Sequence, residues 1–239
     1  DAMFAFLILV QWGTLVSLFI YFGKEIIDLL KAFFESLRDF RSLKDFENLS
    51  QQAQTAWFVI IATIPALIAG YLLKDALEAL FKIPLLAASV RLFAAAILLT
   101  LAEWLGKRSR GEEDMTATDA FIVGLFQVFA VFPGASRSGS TIAGGMLRGF
   151  TREASARFAF LMSIPVMLAA GAYESLDLLQ MNGLGDFLPV LLVGFVAAAL
   201  VGWVAIRWLM AYLSKNSLYS FAVYCAVLGS VVLGVYFLE

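Results

Sequence analysis

Residues 133–141 read PGASRSGST. The stretch carries hydroxyls on Ser136, Ser138, Ser140 and Thr141, and one guanidinium on Arg137. Gly134 and Gly139 let the backbone bend and turn its N–H groups outward. Hydroxyl donors, backbone N–H groups and a fork-shaped cation together suit a phosphate, whose oxygens an arginine matches in pairs. A helix starting near Ser140 or Thr141 would add its positive dipole end. Both flanks are apolar, FIVGLFQVFAVF before and IAGGMLRGF after. An arginine at mid-bilayer depth costs at least about 2.5–3.5 kcal/mol on insertion scales, so it requires a partner. A bound anion is one partner. A carboxylate or carbonyls that lock a helix bundle are the other.

Familiar catalytic frames do not fit. The glycine spacing is near that of a P-loop, but Ser140 stands where that loop needs lysine and no strand precedes it. It is not G-x-S-x-G, because Ser138 occupies the last glycine position. The chain has no histidine, which removes Ser-His-Asp triads and histidine metal ligands. Its single cysteine, Cys225, lies in an apolar run, so there is no disulfide framework. A net charge of −2 leaves no polybasic face for nucleic acid.

The elements that must position this loop are those of a membrane. The chain is 62% hydrophobic and 15% charged, against roughly 45–50% and 25% in soluble domains. The runs Met3–Phe22, Thr55–Leu73, Pro84–Leu105, Ala154–Tyr173, Phe187–Met210 and Leu218–Leu238 are long enough to span as helices. Between them, residues 24–54 suggest an interfacial amphipathic helix and a polar loop, KDALEALFK at 74–82 a shorter interfacial helix, and KRSRGEEDMTAT at 107–118 a solvated loop. With alternating spans, most Lys and Arg fall on one side, which the positive-inside rule assigns to the cytoplasm. Phe121–Phe132 makes a helix of only about 18 Å, which reaches mid-depth before the Pro-Gly pair stops it. Thr141–Phe150 is also short. The pattern predicts a helix–loop–helix hairpin that leaves on the side it came from, rather than one broken span.

GLFQVFAVFPGASRSGSTIAGGMLRGFTREASARFAFLMSIPVMLAAG (124–171) resembles the signature region of the bacterial undecaprenyl-diphosphate phosphatases, the bacitracin-resistance proteins. VQWGTLVSLFIYF (10–22), IATIPALIAG (61–70) and the region of Glu103 extend the likeness. The resemblance implies an enzyme that removes one phosphate from undecaprenyl diphosphate, recycling the cell-wall lipid carrier. It implies an all-α polytopic membrane fold with six transmembrane helices plus one re-entrant hairpin, part of an inverted-topology repeat. The whole chain, 1–239, would be one integral membrane domain: 1–106 a first repeat, 107–118 a cytoplasmic loop, and 119–239 a second repeat with its hairpin at about 119–150. Carried over by position, Ser136, Arg137, Ser138, Gly139 and Thr141 would bind the diphosphate, with Arg137, Ser136 and Thr141 in catalysis. Gln127, one to two turns before the loop, would line the same pocket, or alternatively make an interhelical hydrogen bond. Gln11 is a weaker candidate. Glu103 and Arg91 are read as helix-end or packing residues.

The family's first hairpin, with paired glutamates, a serine-rich turn and a histidine, has no counterpart in the sequence. The expectation is therefore a chain that lacks one re-entrant hairpin, is inactive alone and contributes no metal ligand. A divalent cation, Mg²⁺ or Ca²⁺, is implied by the resemblance only. Expected partners are undecaprenyl diphosphate, membrane lipid and a second copy of the chain. The expected location is the bacterial cytoplasmic membrane, with the cavity open to the outer face. The rival function is a transporter or flippase for an anionic lipid or small anion, built on broken helices at mid-membrane.

Overall fold

The computed structural model describes residues 2–39, 46, 48–73, 84–129, 136–178 and 184–238. Among these the secondary structure is helical: α1 (Ala2–Asp39), α2 (Gln51–Leu72), α3 (Pro84–Leu105), a 3₁₀ turn (Glu112–Asp114), α4 (Ala117–Val128), α5 (Arg137–Leu147), α6 (Arg152–Leu178), α7 (Leu184–Leu213) and α8 (Tyr219–Leu238). Six of them are long and apolar enough to cross a membrane, while α4 is too short. The chain is thus an all-helical, multi-pass membrane protein.

Two expected boundaries move. The amphipathic segment after Phe22 is not a separate interfacial helix, because α1 continues without a break to Asp39. Nothing in residues 23–39 stops a helix: proline is absent, and Glu, Lys and Leu are good helix formers. At 38 residues, α1 is about 57 Å long, nearly twice the hydrocarbon core. The second change is at α5, which begins at Arg137 rather than at Ser140 or Thr141. The segment 74–82 lies outside the described residues.

The chain divides into two compact units. The first comprises residues 1–56 and 160–212. Within it α1 and α7 come so close at Gly13 that a Cβ there would run into the Phe195 carbonyl oxygen. Trp12 Nε1 donates to Ser175 Oγ at 3.0 Å, which ties α1 to α6. The second unit comprises residues 57–159 and 213–239 and holds the SRSGST motif. In it α3 packs on α8 and α5, and α4 packs on α5. Small residues set these distances: Gly144 lies against the Phe126 ring, and Gly124 against the Ala62 backbone.

Candidate functional site

The motif opens α5. Ser136 is its N-cap, extended at φ −67° and ψ 105°, and its Oγ accepts the Gly139 N–H at 3.1 Å. Serine suits this place because its hydroxyl satisfies one of the N–H groups a helix start leaves over. The first-turn N–H groups of Arg137 and Ser138 point out of the helix end, where the dipole favours an anion. Ser136 is exposed, while Arg137, Ser138 and Gly139 are half-buried. Thr141 differs from its neighbours. It is fully buried, and its hydroxyl donates to the Arg137 carbonyl at 2.9 Å. Residues 133–135, the Pro-Gly-Ala part of the loop, lie outside the described residues.

Gln127 stands on α4, 1% exposed, and among the described residues neither Nε2 nor Oε1 has a hydrogen-bond partner. The interhelical hydrogen bond that would explain it structurally is therefore not made. Phe126 packs against Gly144, so Gln127 lies within about two turns, roughly 10 Å, of the α5 N-terminus. Gln11 belongs to the first unit, half-buried on α1.

Two buried carboxylates fix the frame around the motif. Asp119 in the first turn of α4 is 1% exposed at its side chain. Its Oδ1 accepts from Arg148 Nε at 2.7 Å and Arg110 Nη1 at 3.2 Å. Its Oδ2 accepts from Arg110 Nη2 at 2.6 Å and from the N-cap Thr116 Oγ1 at 2.7 Å. Burial alone would raise the Asp119 pKa, but hydrogen bonds from Arg110, Thr116 and Arg148 outweigh it and bring the carboxyl down to about 2. Because Arg148 caps the C-terminus of α5, Asp119 fastens the start of α4 to the end of α5. Gly149, at φ +92°, makes the left-handed turn after the cap.

Glu103, at the end of α3, is likewise 1% exposed at its side chain. Arg152 grips it with two bonds of 2.7 Å, Arg108 donates at 2.9 Å, and the Leu218 N–H donates at 2.7 Å. Glu103 is a helix-end residue as read, yet it also caps the start of α8 and holds the start of α6. The segment 107–118, expected to be a solvated loop, is instead fastened down. Arg108 and Arg110 serve the two carboxylates, Ser109 and Arg110 N–H groups donate to the Gly149 carbonyl, and the Arg110 guanidinium lies 4.3 Å from the Phe150 ring centre. The sequence signal that could have exposed this was available: two acidic residues inside apolar runs need basic partners, and arginines stand at 108, 110, 148 and 152.

Among the described residues no group of three His, Cys, Asp or Glu could hold a metal ion. Hydroxyls, an amide and a guanidinium do not form a donor set for a divalent cation. What they can do is hold and neutralise a dense anion.

Comparison with known proteins shows the family. Residues 1–231 match the family described as bacitracin resistance protein BacA. The undecaprenyl-diphosphatase of Anaeromyxobacter sp. (strain K) is 38% identical over 229 residues, covering 95% of this chain and 76% of that protein. Undecaprenyl-diphosphatases of Methanosphaera stadtmanae and Mycobacterium ulcerans are 38% and 36% identical, covering 94% and 98% of this chain and 82% and 83% of those proteins.

Proposed function

The chain belongs to the bacitracin resistance protein BacA family, and on that footing we infer that it is an undecaprenyl-diphosphate phosphatase. The carrying observation is the Ser136-capped start of α5, a helix N-terminus whose first residue is the cation Arg137. Undecaprenyl diphosphate would place its terminal phosphate there. The Arg137 and Ser138 N–H groups, the Ser136 and Ser138 hydroxyls and the Arg137 guanidinium would bind its oxygens. Gln127 would supply an amide N–H to the same anion. Thr141 would act indirectly, holding the first turn through the Arg137 carbonyl.

Hydrolysis replaces the bond between the terminal phosphorus and the bridging oxygen with a bond to a water oxygen. It leaves lipid monophosphate and inorganic phosphate. Negative charge builds on the bridging oxygen as that bond breaks. A fixed cation and preoriented donors in a dry site stabilise it strongly. Serine hydroxyls and a guanidinium are not bases near neutral pH, so the motif's part is binding and charge stabilisation. The described residues do not fit a divalent cation, and no step is assigned to one.

The geometry of the second unit also supports a re-entrant hairpin. The mouth ends of α4 and α5 are fastened together by Asp119 and Arg148, and each helix is long enough to reach only about mid-depth. We place this hairpin in the second half of an inverted repeat, in the bacterial inner membrane, with basic loops cytoplasmic and the lipid site open outward. We propose a homodimer through the exposed face of α1. Ile27, Leu30, Phe34 and Leu37 are all exposed and follow the three–four spacing of a coiled-coil seam. The membrane holds both copies in one orientation, so two such helices meet parallel.

The experiment is inorganic phosphate release from undecaprenyl diphosphate by the full-length protein in micelles, with Arg137→Ala and Arg137→Lys beside it. Release that falls at least a hundredfold in Arg137→Ala, and is partly kept in Arg137→Lys, supports the enzyme. Lipid translocation across vesicles without phosphate release would favour the transporter.

A further inference from the structure

Arg91 is a cation inside α3 that none of the structural clusters uses. Its Nε is buried and has no hydrogen-bond partner among the described residues. Neither carboxylate cluster reaches it: Glu103 is occupied by Arg108 and Arg152, and Asp119 by Arg110 and Arg148. A cation left unpaired in an apolar helix marks a function by default.

Its position relative to the motif follows from two contacts. Leu99 Cδ2 lies 4.0 Å from where a Cβ on Gly139 would sit, and a Cβ on Gly106 would meet the Met146 carbonyl carbon and oxygen. Both pairs are seven residues apart on each helix, so α3 and α5 run parallel and in step. Arg91 lies eight residues before Leu99, about 12 Å back along α3 and about 80° round it. Alpha-5 has already ended at that level, since its first residue is Arg137. Along the axis, Arg91 therefore lies at a level beyond the N-terminus of α5, on the helix packed beside it, about 8–10 Å from the α5 axis. Leu92 and Phe93 face α8 at Gly229, which leaves Arg91 on the other flank of α3.

We propose that Arg91 is a second cationic contact for the phosphate headgroup of the lipid substrate, facing the Ser136–Gly139 cradle across the bound anion. This rests on the phosphatase reading and adds a residue to it. A diphosphate has two charged ends. Arg137 and the helix start would take one phosphate, and Arg91 the other. The pair would prefer a diphosphate to a monophosphate, which has one charged end only.

The test is binding of farnesyl diphosphate, farnesyl monophosphate and farnesol to the full-length protein in detergent, for wild type, Arg91→Gln, Arg91→Lys and Arg137→Ala. Arg91→Gln should weaken diphosphate binding about tenfold or more, the scale of one charge-assisted hydrogen bond. It should weaken monophosphate binding less and leave farnesol unchanged, and Arg91→Lys should recover part of the loss. Diphosphate binding that is lost in Arg137→Ala but unchanged in Arg91→Gln would overturn the proposal and leave the site intact. Wild type that binds farnesol and farnesyl diphosphate equally would overturn the phosphatase reading itself. An Arg91→Met variant guards against a purely structural role. With no partner to lose, it should unfold at the wild-type temperature or above, and a large drop with unchanged binding would also overturn the proposal.

Discussion

Arg148 Nε lies 2.7 Å from Asp119 Oδ1 although 29 residues separate them. The contact joins the start of α4 to the end of α5, about 16 Å along α5 from the residues that would bind phosphate. Asp119→Ala should therefore act at a distance. Breaking a buried ion pair costs about 3–5 kcal/mol, and the two arginines are partly exposed, so the low end applies. We expect a loss of about 3 kcal/mol in chemical unfolding and, where the protein stays folded, phosphate release that falls with kcat more than KM. Unchanged unfolding would show that the clasp does not set the hairpin.

Acid should open the same clasp. The Asp119 pKa is lowered from 3.8 to about 2 in the folded chain. A depressed carboxyl pKa contributes stability that is complete above 3.8 and is lost as pH falls toward about 2. Unfolding followed from pH 6 to pH 2 should show wild type losing stability below about pH 4, and Asp119→Asn should be flatter across that window. Parallel curves for the two proteins would count against this account.

Glu103 makes a parallel case for α3, α6 and α8. Glu103→Gln keeps the shape but removes the charge that Arg152 grips with two bonds. It also leaves the Leu218 N–H with a weaker acceptor or none. A loss of about 3 kcal/mol or more is expected. Arg152→Lys should lose most of that, since an ammonium cannot make the fork. Arg108→Lys should lose little, because Arg108 is a third exposed at its side chain. Equal effects from the two lysine variants would contradict the bidentate assignment.

Much of this was legible in the sequence, because a bilayer leaves few choices. Six apolar runs predicted six spans, and the Pro84–Leu105 bounds agree to the residue. Other bounds drifted where polar residues continue a helix into water, as α1 does to Asp39. Hydropathy marks the membrane edge and says nothing about where the helix stops. The start of α5 was misplaced by three to four residues, because Ser136, Ser138 and Ser140 are all competent caps and only the fold selects one. The residue types of the SRSGST motif suggested an anion site, and the structure puts a Ser136-capped helix start there. The two carboxylate clasps were missed although the need of a buried carboxylate for basic partners was a usable signal, because nothing in the sequence says which arginine pairs with which acid, and the clasps join residues up to 115 positions apart. Their arginines looked like ordinary loop charges.

The exposed stripe on α1 should report oligomeric state. Phe34→Glu puts a charge in the proposed seam and should convert a dimer to a monomer by light scattering in detergent. A Leu30→Cys variant in a Cys225→Ser background should cross-link to itself through an oxidised pair, since seam positions of parallel helices face each other. Cross-linking absent in both micelles and native membranes would assign the stripe to lipid.

Gln127 gives the sharpest division between structure and function. Its amide is buried with both ends unpaired. An unsatisfied buried amide is a cost to folding, roughly 1–3 kcal/mol in mutational data. Replacing it with leucine removes that cost and keeps the volume nearly constant. If Gln127 serves only packing, Gln127→Leu is neutral or stabilising and activity is unchanged. If the amide waits for the substrate anion, the unliganded protein is equally stable or more so, while phosphate release falls about tenfold or more, the worth of one hydrogen bond to a charged group. We expect the second result. The two measurements move in opposite directions, so a general loss of structure cannot imitate it.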